Sequence, residues 1–194
     1  PKGVYFMTNL KISPSGINLI KKFEGLHKQT AKGDVRAYRC VAGRWTLGWG
    51  HTKGVRSGMR ATIEQCEEYL SEDLREVGQY INALVEVPLN QAQFDALSCF
   101  IFNLGVGNFK KSTLLKKLNN GEYDEVPAQL MRWNKARVDG VLTPLPGLTR
   151  RRSAEAALFS MSAPLASEDN GEMMPQKIEE SVEEKSFFGR WFNK

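Results

Sequence analysis

Apolar positions recur at helical spacing along most of this chain and lose that spacing in one early window. Ser13-Pro14 reads as an N-cap followed by proline at the first helical position, after which Ile17, Ile20 and Glu24 fall at i, i+3 and i+7. Thr62 to Gln65 has the form of a capping box opening a helix through Tyr69, Leu70 and Leu74. Asn90 to Gln93 opens another, in which Phe94, Leu97, Ser98 and Ile101 mark a buried stripe. Further helical patterns cover residues 112–118, 125–133 and 150–161. Between the first two helices, Val35 to His51 is rich in Tyr, Trp, Thr and Val and punctuated by Gly43, Gly48 and Gly50, which reads as short strands in a small sheet. The expectation is an α+β fold, with a small N-terminal sheet lobe, a larger all-helical lobe and a cleft between them.

Composition adds a partner class and a boundary. At 194 residues, with 41% hydrophobic and 25% charged positions, the chain suits one ordinary domain with an appendage. The net charge of +5 favours an anionic partner, and nucleic acid, acidic lipid and bacterial cell wall all qualify. That charge is uneven. Residues 164–194 hold seven acids and four bases, so they carry −3 and the body before them +8. Pro164 to Asn170 reads as a linker, and the stretch beyond it is acidic and ends in aromatic residues. Residues 1–9 read as an N-terminal extension or remnant, since Met7 has the look of a natural start, and 10–163 as the catalytic domain. Cys40, Cys66 and Cys99 are too few and too scattered for a disulfide framework or a CxxC metal site. No apolar run nears the roughly 20 residues that span a bilayer, and no signal core opens the chain, so cytosolic synthesis is expected.

Glu24 is the first residue with chemical interest. It ends the first helix on its apolar face, with Gly25 placed as the C-cap. Burial and a helix C-terminus both favour the protonated carboxyl that a general acid requires. A capping or ion-paired surface glutamate is the plainer reading of position alone.

The string Ala37-Tyr-Arg-Cys-Val-Ala-Gly-Arg-Trp-Thr-Leu-Gly-Trp-Gly-His-Thr52 resembles the small-sheet segment of the phage-type lysozymes, glycoside hydrolase family 24, and most of all the endolysins of temperate phages. Ile12-Ser to Phe23-Glu-Gly resembles that family's first helix. Gln91-x-Gln-Phe-Asp-Ala-Leu, Phe102-Asn-Leu-Gly105, Ser112-Thr-Leu-Leu115, Trp133 and Gly147-Leu-x-x-Arg-Arg-x-Ala-Glu155 follow in the family's order. The resemblance covers roughly Leu10 to Met161. It implies a muramidase whose pattern is Glu, eight residues, Asp or Cys, five residues, Thr. Glu24 is then the implied general acid, and Cys40 and Thr46 keep the five-residue gap. Fifteen residues separate Glu24 from Cys40, so a seven-residue insertion lies at about His27 to Asp34, at the mouth of the implied cleft. The insertion supplies Asp34 as an alternative second carboxylate.

A thiol at position 40 would need nearby cations to act as a base, and Arg36, Arg39 and Arg44 are close in sequence. Thr46 would orient the attacking water opposite Glu24, and inversion would require a gap of about 6.5–9.5 Å between the two groups. The resemblance further implies that Arg151, or Arg152, reaches Glu24, opposing the effect of burial. It implies that Asn103 and Trp133 line the cleft, with core packing an equal reading of Trp133. It pairs His51 with an acid in the next helix, here Asp73. No cofactor and no metal site is expected.

Other classes weigh less. The basic body lacks zinc-finger spacing, an RNP-type aromatic motif and a concentrated Lys/Arg stripe, so nucleic acid is not expected as a partner. Gly105-x-Gly107 lacks the rest of a Rossmann or P-loop fingerprint. With no Asp at the usual position, a lytic transglycosylase using Glu24 alone is the mechanistic rival. Phe187, Phe188, Trp191 and Phe192, flanked by Lys185, Arg190 and Lys194, suggest an amphipathic tail helix that contacts an anionic membrane, or one that packs back on the domain. The expected whole is a monomeric endolysin acting on bacterial peptidoglycan. It would be made in the host cytoplasm and reach the periplasmic wall after holin-dependent release.

Overall fold

The computed structural model describes residues 9–40 and 43–161. The acidic and aromatic tail, with its linker and its suggested membrane contact, lies outside the described residues, as does the N-terminal extension up to residue 8. Helix α1 (Pro14–Glu24) is capped by the Ser13 side chain and carries Lys21 and Lys22 in its last turn, where they complement the helix dipole. Its buried positions are Gly16, Ile20 and Glu24, one stripe at i, i+4 and i+8, so the helical period itself turns Glu24 toward the core.

The sheet region is a set of two-residue strands. β1 (Val35–Arg36) pairs antiparallel with β4 (Arg60–Ala61), and β2 (Tyr38–Arg39) pairs antiparallel with β3 (Trp45–Thr46). Leu47 and His51 exchange both backbone hydrogen bonds, at 2.9 and 3.0 Å, and so close the turn that carries Gly50. Helix α2 (Ile63–Leu84) leads from this region along the body. Both hydrogen bonds of its Thr62–Gln65 capping box are present, and its 22 residues span about 33 Å.

α3 (Gln91–Leu104) is the central helix. The periodicity predicts one buried stripe, whereas every residue from Phe94 to Leu104 is buried. The reason is that α1, α2 and α7 (Pro146–Phe159) all pack on it, which leaves no face for solvent. Two elements depart from the sequence pattern. α4 (Val106–Lys110) is a five-residue helix begun at Gly105. The helical body, which continues through α5 (Thr113–Asn119) and α6 (Val126–Met131), also carries a hairpin, β5 (Lys135–Val138) with β6 (Val141–Pro144). Asp139 and Gly140 form its turn with φ of +48° and +83°, the pairing of two left-handed residues that hairpins favour. α7 begins four residues ahead of Arg150, with Pro146 in its first turn.

α1 is held on α3 by Asp95, whose carboxylate accepts hydrogen bonds from the Ser13 backbone N–H at 2.9 Å and from the Ser13 hydroxyl. The close approach depends on Gly16: a Cβ there would lie 2.7 Å from Ile12 Cγ1 and 2.8 Å from Asp95 Cγ. Gly16→Ala should therefore destabilise the fold by about 1–3 kcal/mol through overpacking, read as a lower urea midpoint at unchanged slope.

Candidate active site

The stripe on α1 delivers Glu24 into the core at 4% exposure. Its Oε1 accepts a 2.7 Å hydrogen bond from Nη1 of Arg151 on α7. Arg151 is the arginine that reaches Glu24. Arg152 turns instead to Asn103 Oδ1 at 2.8 Å and to Glu155 Oε1 at 3.0 Å. Arg151 also donates to Glu155 at 3.2 Å and to the Cys99 carbonyl at 3.2 Å, so one buried network runs Glu24–Arg151–Glu155–Arg152–Asn103. Its two arginines and two glutamates balance in charge, which is the condition for burying them at all.

Burial sets how these groups hold their protons. Arg152 is pulled down to about 10, chiefly by burial, and its guanidinium lies 5.0 Å over the Phe100 ring. Burial pushes the Glu155 carboxyl up against the pull of both arginines. For Arg151, burial alone would lower the value, but the carboxylates of Glu24 and Glu155 outweigh it.

Oε2 of Glu24 takes no hydrogen bond from the described residues and faces Gly50. A Cβ built on Gly50 would sit 3.7 Å from that oxygen and from the Phe102 ring, and φ of +101° also requires glycine. Hydroxyl, thiol and phenol gather on the other side. The register of β2 and β3 sets Tyr38 opposite Thr46, and Cys40 lies two residues beyond Tyr38, so all three share one face. Thr46 is buried, and its hydroxyl donates to the Arg44 carbonyl at 3.2 Å. Cys40 is a free, buried thiol whose backbone N–H bonds to the Arg44 carbonyl opposite.

Tyr38 has no role in the motif-based reading, yet it is central here. Burial first, and then the charges of Glu24 and Cys40, push its hydroxyl up to about 12, which reports the closeness of all three. The His27 ring meets Tyr38 edge-on at 5.4 Å, and His27 Nε2 is 3.0 Å from the Glu24 carbonyl. The alternating strand period, Tyr38 with Cys40, is the one signal in the sequence that marks it.

The remaining expected residues fall around this centre. Asp34 is not brought into it, because Thr30 Oγ1 donates to its Oδ1 and Arg60 Nη1 reaches its Oδ2 at 3.1 Å. These contacts, the Thr30 hydrogen bond first, hold its carboxyl below the usual range. Asn103, expected on the cleft wall, is 6% exposed, and its Oδ1 is taken by Arg152. Trp133 is half-buried and packs edge-to-face on Phe100 at 5.7 Å. Arg39 lies over Trp45 at 5.3 Å rather than beside Cys40. His51 Nδ1 lies 3.1 Å from Asp73 Oδ2, and its ring stacks on Tyr69 at 4.6 Å. Since His51 also closes the turn that carries Gly50, this contact steadies the surroundings of Glu24. Cys66 and Cys99 are buried in the core, and burial raises both thiols. Among the described residues no group of three or more His, Cys, Asp or Glu could hold a metal ion.

The family model described as Phage lysozyme matches residues 21–155, a span that takes in the whole Glu24–Arg151–Glu155 arrangement. The chain belongs to the phage lysozyme family. The endolysin of Acyrthosiphon pisum secondary endosymbiont phage 1 is 49% identical over 150 residues, covering 77% of this chain and 98% of that protein. The endolysin of Salmonella phage P22 is 40% identical over 156 residues, again covering 77% and 98%. Among solved structures, the muramidase domain of SpmX from Asticaccaulis excentricus superposes with a TM-score of 0.71 at 39% identity, covering 78% of this chain and 99% of that one. This phage-type lysozyme is accordingly a glycoside hydrolase with peptidoglycan as its substrate.

The His51–Asp73 contact makes a stability prediction. Asp73 first, through its hydrogen bond, raises the His51 imidazole above its ordinary 6.5. The stabilisation is therefore complete below about pH 6.5 and is lost as pH rises through the higher folded value. The Tm difference between the parent protein and Asp73→Asn should be largest at pH 5–6 and shrink toward pH 9.

Proposed function

We propose that this lysozyme is an endolysin that cuts the β-1,4 bond between N-acetylmuramic acid and N-acetylglucosamine, with Glu24 as the general acid. The observation that carries the assignment is the Glu24 carboxyl itself. One oxygen is clamped by Arg151, and the other takes no hydrogen bond from the described residues and lies beside Gly50 in a buried wall. Oε2 gives its proton to the glycosidic oxygen as the C1–O bond breaks. A water forms the new C1–O bond from the opposite face. Thr46 has already committed its hydroxyl proton to Arg44, so toward this water it is an acceptor, which turns a lone pair to C1. The water's proton passes to the Cys40 sulfur, which must be ionised to take it; Arg44 stands opposite Cys40 in the hairpin register. Cys40 is preferred to Asp34 because Tyr38 and Thr46 share its face, whereas Thr30 and Arg60 occupy the Asp34 oxygens. A lytic transglycosylase is not favoured, since it gives the Thr46 hydroxyl no water to orient.

Four substitutions on purified sacculi test these roles. Glu24→Gln should lower the rate by about 10²–10⁴, the usual worth of a general acid. Asp34→Asn should keep full activity, Cys40→Ala should lose it and Cys40→Asp should retain it. Full activity in Cys40→Ala together with loss in Asp34→Asn reverses the assignment of the second group. Solvent oxygen should appear at the new reducing ends, and 1,6-anhydro ends as the sole product would rule out hydrolysis.

A monomer is the proposed state: Glu24 with Arg151, and Tyr38 with Thr46, come together within one chain, so the site needs no second copy to complete it. Holin-dependent release from the host cytoplasm is the proposed route to the wall, on the strength of the family alone. Expressed in cells without a holin, the protein should leave them intact until the inner membrane is permeabilised, and spontaneous lysis would contradict this route.

A further inference from the structure

The insertion that separates Glu24 from Cys40 folds into a hairpin of its own. Gln29 pairs with Val35, Arg36 N–H donates to the Lys28 carbonyl at 3.1 Å, and Thr30 N–H donates to the Asp34 carbonyl at 2.8 Å. This register sets Lys28 directly opposite Arg36, and β1–β4 pairing sets Arg36 directly opposite Arg60. Three cations therefore stand in a row across three strands, an arrangement that costs stability when nothing lies between them. Asp34 answers one of them, through its contact with Arg60. Lys28 and Arg36 are exposed and line an open groove of about 440 Å³ with Gln29, Thr30, Ala37 and Tyr38. Lys28 also holds φ of +60°, a left-handed backbone that is uncommon for a lysine.

The groove runs into the candidate active site through Tyr38, which pairs with Thr46 and senses Glu24 and Cys40. A substituent of a sugar bound at the candidate catalytic face would extend into it. In peptidoglycan the lactyl arm of each N-acetylmuramic acid carries a short peptide with free carboxylates. We propose that Lys28 and Arg36 form an anion subsite for a stem-peptide carboxylate on the muramic acid at the cleavage point. The subsite rests on the peptidoglycan reading above and makes the enzyme prefer peptide-bearing glycan to bare glycan. It belongs to the insertion, so a lysozyme without that hairpin lacks it.

The test compares kcat/KM on two substrates, phosphodiester-free sacculi with their stem peptides and the same glycan stripped of peptide by an amidase. Lys28→Gln with Arg36→Gln should lower kcat/KM about tenfold on the peptide-bearing substrate, as expected for two exposed ion pairs worth up to about fivefold each. The same pair should leave the stripped glycan unaffected. The swap Lys28→Arg with Arg36→Lys should restore activity, and removing two charges elsewhere, Lys110→Gln with Lys116→Gln, should spare the preference. An equal loss on both substrates, or no loss, overturns the proposal. So does a loss seen only on walls that carry anionic phosphodiester polymers, which would assign the groove to those. If the unaltered enzyme opens no glycosidic bond in stripped glycan or in sacculi, the muramidase reading itself fails and takes the subsite with it.

Discussion

The buried contact between Glu24 Oε1 and Arg151 Nη1 joins the end of the first helix to the last one, 127 residues away. Neither charge is tolerable alone in that position, because an unpaired ion in a protein interior costs several kcal/mol after relaxation. The charges are therefore shared around a chain of contacts: Glu155 shares Arg151, Arg152 shares Glu155, and Asn103 takes the remaining Arg152 donor that is bonded, so Arg151 keeps a carboxylate partner when Glu24 carries a proton. Arg152 Nε and Nη1 and Glu155 Oε2 still lack hydrogen-bond partners among the described residues. α7 is thus as much a part of the candidate site as α1. The central helix α3 brings them together, buried on every side between its neighbours.

The opposite wall is built by a different principle. Strands of two residues contribute little sheet, and their place is set by turns and side-chain clamps: the Leu47–His51 exchange, the His51–Asp73 contact and Lys21, which lies 4.4 Å over Trp49 while its ammonium meets Glu67 at 2.5 Å. These clamps hold Gly50 beside Glu24, and they align Tyr38 and Thr46 as a cross-strand pair. A general acid works only when proton, leaving oxygen and water are held in one geometry, and rigid turns provide that at small cost in residues. The insertion hairpin extends this wall outward and places Lys28 and Arg36, which form no ion pair with the described residues, on an open groove that leads to Tyr38.

Local signals in the sequence carried over to the structure almost unchanged. The caps at Ser13, Thr62 and Asn90 are hydrogen bonds between residues three positions apart, so they are written within four letters of sequence. The Asp139-Gly140 turn is equally local, but the strands it joins are only four residues long and lie between helical patterns, too short for an alternating period to stand out. α7 starts at Pro146 without a side-chain cap to mark it, since proline is tolerated in a first helical turn.

The chain's letters alone determined the helical period that turns Glu24 inward, the early β region, the basic body with its acidic tail, and the ordered blocks that mark a phage-type lysozyme. Tertiary structure decided which arginine meets Glu24, that Asp34 belongs to Arg60, that Asn103 serves Arg152, and that Tyr38 stands in the site. The division follows from range. Caps, stripes and turns are set within a few residues, where steric and hydrogen-bond rules act on the backbone directly. Arg151 and Arg152 are neighbours with the same chemistry, and a step of about 100° around α7 sends one to Glu24 and the other to Asn103. Only the packing of α7 on α3, and the need to leave no buried charge unanswered, selects between them.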